Sequence, residues 1–238
     1  MIVSFCFTIK IINSMDDLEI YQKMISKSIE CAKIYHKVKL YTDAETLKYL
    51  EINNIEIELI DTSNFYFVDD FKVHLLSIIS DDEILIDTDL FLFRELKIEK
   101  GFDAYFDFMD NSKKFWYTEY LKWFIDNGIR EMIPTFGMQD ISVPNIGIIK
   151  IDNKELKKEY IELYNKIKKW VLSIDSNITR GVSIILGQYL LALLLCDKKY
   201  KVSYCYRKNN HYSHLSGPLK FEPNVVSNIK PNKYNKII

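Results

Sequence analysis

The stretch DDEILIDTDLFLFREL, residues 81–96, decides how the rest of the chain is read. Ile84, Leu85 and Ile86 make one short apolar run, and Leu90 to Phe93 make another. Between them stand two carboxylates, Asp87 and Asp89. A continuous apolar run of this length is the form of an interior strand of a parallel sheet, buried on both faces. Asp87 then falls at the carboxyl end of that strand, the edge where open α/β sheets bind ligands. If the backbone stays extended there, the two side chains leave the same side with Cβ atoms ~7 Å apart. With heads ~5 Å apart and an effective dielectric of ~20, they repel by ~3 kcal/mol. A divalent cation between them turns that penalty into affinity, and oxygen ligands select Mg²⁺ or Mn²⁺. The structural alternative is that Asp89 caps a turn while Asp87 accepts backbone hydrogen bonds. Two flanking apolar runs favour the metal.

Outward from this stretch, strands and helices alternate. IVSFCFT near the start, KVKLYTD and IEIELID read as strands. The segment 13–36 places Leu18, Tyr21, Ile25, Ile29 and Ala32 on one helical face, with Asn13 or Ser14 as its cap. AETLKYLEIN and DDFKVHLLSIIS are further helices. Strand–helix alternation means crossover units and a mostly parallel sheet. Beyond residue 96, DAYFDFMD, VPNIGIIKID and KVSYCYR read as strands, and YTEYLKWFIDNG, 153–173 and 181–197 as helices. The expected architecture is α/β, one domain with a Rossmann-like, mostly parallel central sheet flanked by helices. Residues 1–95 form a nucleotide-binding half, 96–222 a half for donor sugar and acceptor, and 223–238 a basic tail.

Length and composition agree. A chain of 238 residues, 48% hydrophobic and 27% charged, buries one large core as a globular protein. The formal net charge of −1 gives no electrostatic reason to expect nucleic acid. Cys6, Cys31, Cys196 and Cys205 have no metal or oxidoreductase spacing; Cys6 and Cys196 sit in apolar runs that suit buried free thiols, and the reading is a reducing, cytoplasmic location. The apolar start lacks a basic leader and a cleavage site, so it reads as a buried strand. VSIILGQYLLALLLC is shorter than the ~20 residues that span a bilayer and contains Gln188, so it reads as a buried helix.

A second cluster of chemistry lies in HYSHLSGPLK, in a loop after the last strand. Either His211 or His214 can complete a metal's ligand set through a ring nitrogen. Gly217 lets backbone N–H groups approach a phosphate, and Lys220 adds a mobile positive charge.

With both segments in view, the chain resembles the GT-A-fold glycosyltransferases, most closely the glycogenin-like and bacterial galactosyltransferase-like retaining families. Asp87-Thr88-Asp89 matches their Asp-x-Asp after an apolar strand. Asn145 and Gly147 match their Asn-x-Gly, and His214, Gly217 and Lys220 their C-terminal His-x-x-Gly-x-x-Lys, which selects His214 over His211. Lys72 matches a basic residue on the helix before the Asp-x-Asp strand. The resemblance implies that Asp87, Asp89 and His214 hold Mn²⁺ or Mg²⁺, that Gly217 and Lys220 grip the diphosphate of a nucleotide sugar, UDP-linked by family habit, and that Thr88 of the acidic motif is among the residues that bind this cofactor. It puts Thr8 and Asp43 against the nucleoside, Lys72 against diphosphate or sugar, Asn145 against the sugar and Gln188 beside the anomeric carbon. The acceptor is a glycan, a lipid or a protein.

The chain departs from the family in two places. Gly187-Gln188 stands where the family often has Asp-Gln, so the acid that touches the donor sugar is missing, and Phe221 follows Lys220 in place of Pro-Trp. Asp110 and Asp140 are the candidate acceptor bases. Trp116 or Tyr117 can offer a ring to a sugar face, although Tyr120, Trp123 and Phe124 read more simply as the apolar face of a helix. Lys230, Lys233 and Lys236 give the tail the composition for weak contact with an anionic membrane surface. Two other functions compete: a non-catalytic nucleotide-sugar binder, and a haloacid-dehalogenase-type phosphatase. The second normally carries its acid pair after the first strand, which is not the arrangement here.

Overall fold

The computed structural model describes residues 1–11, 17–111, 115–137, 141–175, 180–196, 200–205, 212–215, 225, 226 and 229. In chain order the elements are β1 (Ile2–Phe7), α1 (Leu18–Lys33), β2 (Lys37–Thr42), α2 (Ala44–Leu47), β3 (Glu56–Leu59), α3 (Asp70–Ile78), β4 (Glu83–Ile86) and β5 (Leu90–Leu92). There follow β6 (Ala104–Asn111), α4 (Phe115–Asp126), β7 (Ser142–Ile151), α5 (Lys154–Ile174), α6 (Arg180–Cys196), β8 (Val202–Tyr204) and β9 (Tyr212–His214).

Seven strands form the central sheet in the order β3-β2-β1-β4-β7-β6-β8. β1 pairs parallel with β2 and β4, β2 with β3, and β6 with β8. Only β7 runs against its neighbours, β4 and β6, so the mostly parallel α/β sheet read from the sequence is the one that forms. Successive residues of β4 serve opposite faces, as strand geometry requires. Ile84 and Ile86 pack in a cluster with Tyr21, Ile25 and Ile29 of α1. Leu85 packs in the other cluster, with Phe71 and Leu75 of α3, Phe124 of α4, Tyr160 of α5 and Leu190 of α6. A strand buried on both sides has no room for solvated polar groups. The carboxylates that follow therefore stand at the edge of the core.

The expected face of α1 is buried throughout: Leu18, Tyr21, Ile25, Ile29 and Ala32. Its expected caps, Asn13 and Ser14, lie outside the described residues. α2 is shorter than the sequence suggested, ending at Leu47. Beyond it Leu50, Ile52, Ile55 and Ile57 pack on the α1 cluster at a spacing closer to an extended segment than to a helix. Cys196, expected to be buried, is exposed because it is the last residue of α6, whereas Cys31 is buried; none of the four cysteines is in a disulfide. No helix among the described residues is long and apolar enough to cross a membrane. β9 is the other correction. The segment expected as a loop after the last strand pairs antiparallel with β5 in a separate two-stranded ribbon, and Tyr212 packs in the α1-side cluster.

Candidate metal centre

The β4 ladder runs one residue past the strand, because Asp87 N–H donates to the Gly147 carbonyl at 2.8 Å. The chain then turns. Leu90 N–H donates to the Asp87 carbonyl at 3.2 Å and closes a tight turn over Thr88 and Asp89. The two carboxylates are thus presented by a turn and not, as the sequence reading supposed, by extended backbone. A turn of this kind stops the alternation of side chains, so it can aim both heads without relying on strand pleat. The Ser28 hydroxyl of α1 donates to the Thr88 carbonyl at 2.6 Å and ties the turn to the helix beneath.

The ribbon brings the histidine to this turn. Leu90 of β5 stands opposite His214 of β9, and Leu215 N–H donates to the Asp89 carbonyl at 3.0 Å. His214 Nε2 lies 3.3 Å from Asp89 Oδ1 and 3.9 Å from Asp87 Oδ2. One ligand atom from each of Asp87, Asp89 and His214 lies within 4.8 Å of the others. The three residues that the sequence nominated for a metal do meet.

Asp107 holds the histidine from behind, and sequence reasoning missed it. His214 Nδ1 is 2.7 Å from Asp107 Oδ2, and the Tyr212 hydroxyl also donates to this carboxylate. Tyr212 and His214 are two apart on β9, which points both to one side. Asp107 is wholly buried, between Phe106 and Phe108 on β6. A buried carboxylate on the far nitrogen of a histidine fixes the ring's orientation and keeps the proton on Nδ1, leaving Nε2 as a donor to a metal.

Charge in the cluster follows from this geometry. Burial alone would lower the His214 pKa, but hydrogen bonds to Asp107 and Asp89 and the charges of Asp89 and Asp87 outweigh it and push it up to about 10. Burial raises the Asp87 pKa, the Lys72 charge opposes that rise, and the Asp89 charge adds to it. The site therefore draws positive charge. Two carboxylates, one imidazole and a carboxylate behind the imidazole fit a small divalent cation, bound in place of the proton on Nε2.

Lys72, expected against diphosphate or sugar, spends its ammonium inside the protein. Nζ lies 2.5 Å from Asp87 Oδ1 and donates to the Ile146 carbonyl at 2.8 Å. That carbonyl belongs to an irregular stretch of β7. Phe106 pairs with Ile149 but Phe108 with Asn145, so Ile146, Gly147 and Ile148 stand opposite Asp107 alone. Such a bulge re-aims backbone groups; here the Ile146 carbonyl accepts from Lys72 and the Gly147 carbonyl from Asp87 N–H. Asn145 Oδ1 accepts from Gly147 N–H at 2.8 Å, so the Asn-x-Gly motif shapes the bulge itself. Gly147 is glycine because the histidine lies against it. A Cβ there would sit 2.5 Å from His214 Cε1 and 2.9 Å from Nδ1. The ring cannot yield while Asp107 and the ribbon hold it. Gly147→Ala should weaken Mn²⁺ binding by about tenfold or more, measured by titration of the ion, and unchanged affinity would contradict the placement of His214.

Thr8 and Asp43 follow β1 and β2 at the same edge of the sheet and are buried. Asp43 is the N-cap of α2: Oδ1 accepts from the N–H groups of Glu45 and Thr46, and Oδ2 from the Thr46 hydroxyl at 2.6 Å. Thr46 Oγ1 lies 3.5 Å from Thr8 Oγ1. Both residues are tied first into local structure, and the cap explains the acid as well as a ligand would. Gln188 Oε1 accepts from the Tyr117 hydroxyl at 2.7 Å. Tyr117 is wholly buried, so it offers no exposed ring to a sugar; it orients Gln188 instead. Asp110 is buried in β6, and its charge reaches the Tyr117 hydroxyl. Tyr120 and Trp123 are partly buried against the core that holds Phe124, which makes them part of the helix's apolar face. Gly217, Lys220, His211, Asp140, Phe221, the Trp116 side chain and the tail lysines lie outside the described residues.

Asp69 is the second residue that sequence reasoning missed. It precedes α3 as the N-cap but makes no side-chain cap bond. Its carboxylate lies against Gly187 of α6, where a Cβ would come within 2.3 Å of Oδ2. Burial raises its pKa to about 7, against the lowering effect of Lys72 and with a further rise from Asp87.

No protein-family model matches this chain, and no curated protein matches it. Among solved structures it is similar to the galactosyltransferase LgtC in complex with donor and acceptor sugar analogues, at 17% identity and a TM-score of 0.43, covering 79% of this chain and 70% of that one. It is similar to the glycosyltransferase GlyE of Streptococcus pneumoniae TIGR4, at 17% identity and a TM-score of 0.43 over 85% of this chain, and spans only 44% of GlyE. Mouse xyloside xylosyltransferase 1 is 11% identical with a TM-score of 0.44, covering 85% of this chain and 83% of its own. At such identities and scores, chemistry is assigned from the side chains described above.

Proposed function

We propose that this protein is a metal-dependent glycosyltransferase that moves a sugar from a UDP-type nucleotide-sugar donor to a glycan, lipid or protein acceptor, with retention of anomeric configuration. One observation carries the reading: Asp87, Asp89 and His214, from a turn after β4 and from β9, converge on a single point with Asp107 fixing the imidazole. Mn²⁺ or Mg²⁺ held there supplies a Lewis acid to a diphosphate leaving group. The chain's own residues do the rest. Lys72 holds Asp87 in place through Oδ1 and balances part of its charge. Thr8 and Asp43, at the same sheet edge, are the nucleoside side of the site. Gly217 and Lys220 follow His214 in the motif and are assigned to the diphosphate, which would otherwise meet two carboxylates. Gln188, oriented by Tyr117, is assigned to the anomeric carbon and Asn145 to the donor sugar. The phosphatase alternative is disfavoured because the acid pair follows β4, the fourth strand of the chain.

The test is donor hydrolysis without acceptor. UDP release from a panel of UDP-sugars should require Mn²⁺ or Mg²⁺ and stop with a chelator. Metal-dependent binding without any turnover would move the reading to a non-catalytic nucleotide-sugar binder; neither binding nor turnover would overturn it.

A further inference from the structure

We propose that Asp69 is the acid that engages the donor sugar, reaching from α3 into the space that a side chain at position 187 would fill. The proposal rests on the transferase reading above and deepens it, since that reading leaves the sugar without an acidic partner on α6.

Four observations support it. Aspartate is among the best N-caps because its carboxylate satisfies free N–H groups of the first turn. Asp69 sits at the N-cap of α3 and declines that role. Asp70, its neighbour, is instead the committed one, accepting from Phe67 N–H at 2.9 Å, the Tyr164 hydroxyl at 3.0 Å and Lys168 Nζ at 2.7 Å. Second, Asp69 is only 4% exposed, and its Oδ2 has no hydrogen-bond partner among the described residues. The Gly187 N–H acts on the carboxyl as a hydrogen-bond donor and lowers its pKa, while Oδ2 itself is left without a partner. A buried acceptor left unfilled is costly; the Tyr160 hydroxyl, likewise buried without a partner among the described residues, feels the Asp69 charge, and a ligand hydroxyl between α3 and α6 is the resolution taken here. Third, the charges of Lys72 and Asp87 both act on the carboxylate. Fourth, Gly187 is followed directly by Gln188, so the carboxylate abuts the same turn of α6 that carries this side-chain amide. A sugar hydroxyl donates one hydrogen bond and is the class of group that Oδ2 lacks. The missing side chain at 187 and the surplus carboxylate at 69 then have one explanation: the acid has changed helices and kept its place.

The experiment compares the affinities of UDP and of UDP-glucose, UDP-galactose and UDP-N-acetylglucosamine, all with Mn²⁺, taking the tightest UDP-sugar. The readout is the ratio of UDP-sugar to UDP affinity, which a purely structural role of Asp69 does not move. Asp69→Asn should reduce this ratio by about tenfold, because the amide keeps an acceptor oxygen but loses the charge that strengthens the bond. Asp69→Ala should do the same, and the double variant Asp69→Ala/Gly187→Asp should regain much of the ratio, because the new side chain enters the vacated space. An unchanged ratio in Asp69→Asn overturns the proposal and leaves the transferase reading standing. A double variant that melts like Asp69→Ala yet regains nothing also counts against it. Failure of the wild-type protein to bind UDP with Mn²⁺ overturns the transferase reading, and this proposal with it.

Discussion

Asp89→Ala should abolish the rise in melting temperature that UDP produces in the presence of Mn²⁺. A ligand at about a hundred times its Kd stabilises the folded state by ~2.7 kcal/mol. For a chain of this size, each kcal/mol moves the melting temperature by roughly 2–4 °C, so the wild-type rise is expected at roughly 5–10 °C. Of the two carboxylates, Asp89 lies closer to His214, at 3.3 Å, and its carbonyl anchors the ribbon through Leu215. Alanine keeps that backbone bond and removes the carboxylate. The variant without ligand should still fold: it loses the Asp89 partner of His214, but the loss relieves the crowding of charge on Asp87, and Asp107 keeps its hold on the imidazole. A variant that melts normally but no longer responds to Mn²⁺ and UDP is the expected result. A rise of the same size without any divalent cation, in either protein, would contradict the account.

Asp107→Asn should weaken Mn²⁺ binding by about 10–100-fold although residue 107 does not touch the ion. The carboxylate accepts from His214 Nδ1 and from Tyr212, and so holds the tautomer whose Nε2 faces Asp89. An asparagine of the same shape can donate its amide N–H₂ to Nδ1 instead, which puts the proton on Nε2 and opposes metal ligation. It also removes one of the charges that hold the imidazole in place. Direct titration of Mn²⁺ reads the effect, and a melting curve separates it from unfolding. Wild-type affinity in a folded Asp107→Asn protein would mean that His214 is not a ligand.

Much of this was legible in the sequence, and what was not has physical reasons. The strands around residues 84–86 and 146–150, and the buried face of α1, follow from apolar periodicity, which local sequence carries. The Asp87–Asp89 pair was visible because charge inside apolar runs is costly and needs a partner. Its geometry was not visible: one hydrogen bond from Leu90 makes a turn of what reads as extended chain. His214 looked like a loop residue because β9 is three residues long and, among the described residues, pairs with β5 alone, and so short a strand has no periodicity of its own. Asp107 carried the same signal as Asp87, an acid between Phe106 and Phe108, and was passed over because no motif named it. Asp69 was hidden for the opposite reason. An acid before a helix looks like a cap, and only packing shows that it abandons the cap for Gly187. Gly187 itself read as a loss. In three dimensions the Asp69 carboxylate occupies the space that its side chain would take.

The most direct measurement is pulsed EPR of Mn²⁺ bound to the wild-type protein. One ion per chain is expected, with hyperfine coupling to a single imidazole nitrogen that is lost in His214→Ala, and new phosphorus coupling when UDP is added. An ion with no nitrogen coupling, or phosphorus coupling that persists after Asp87 and Asp89 are both replaced by alanine, would contradict the metal assignment.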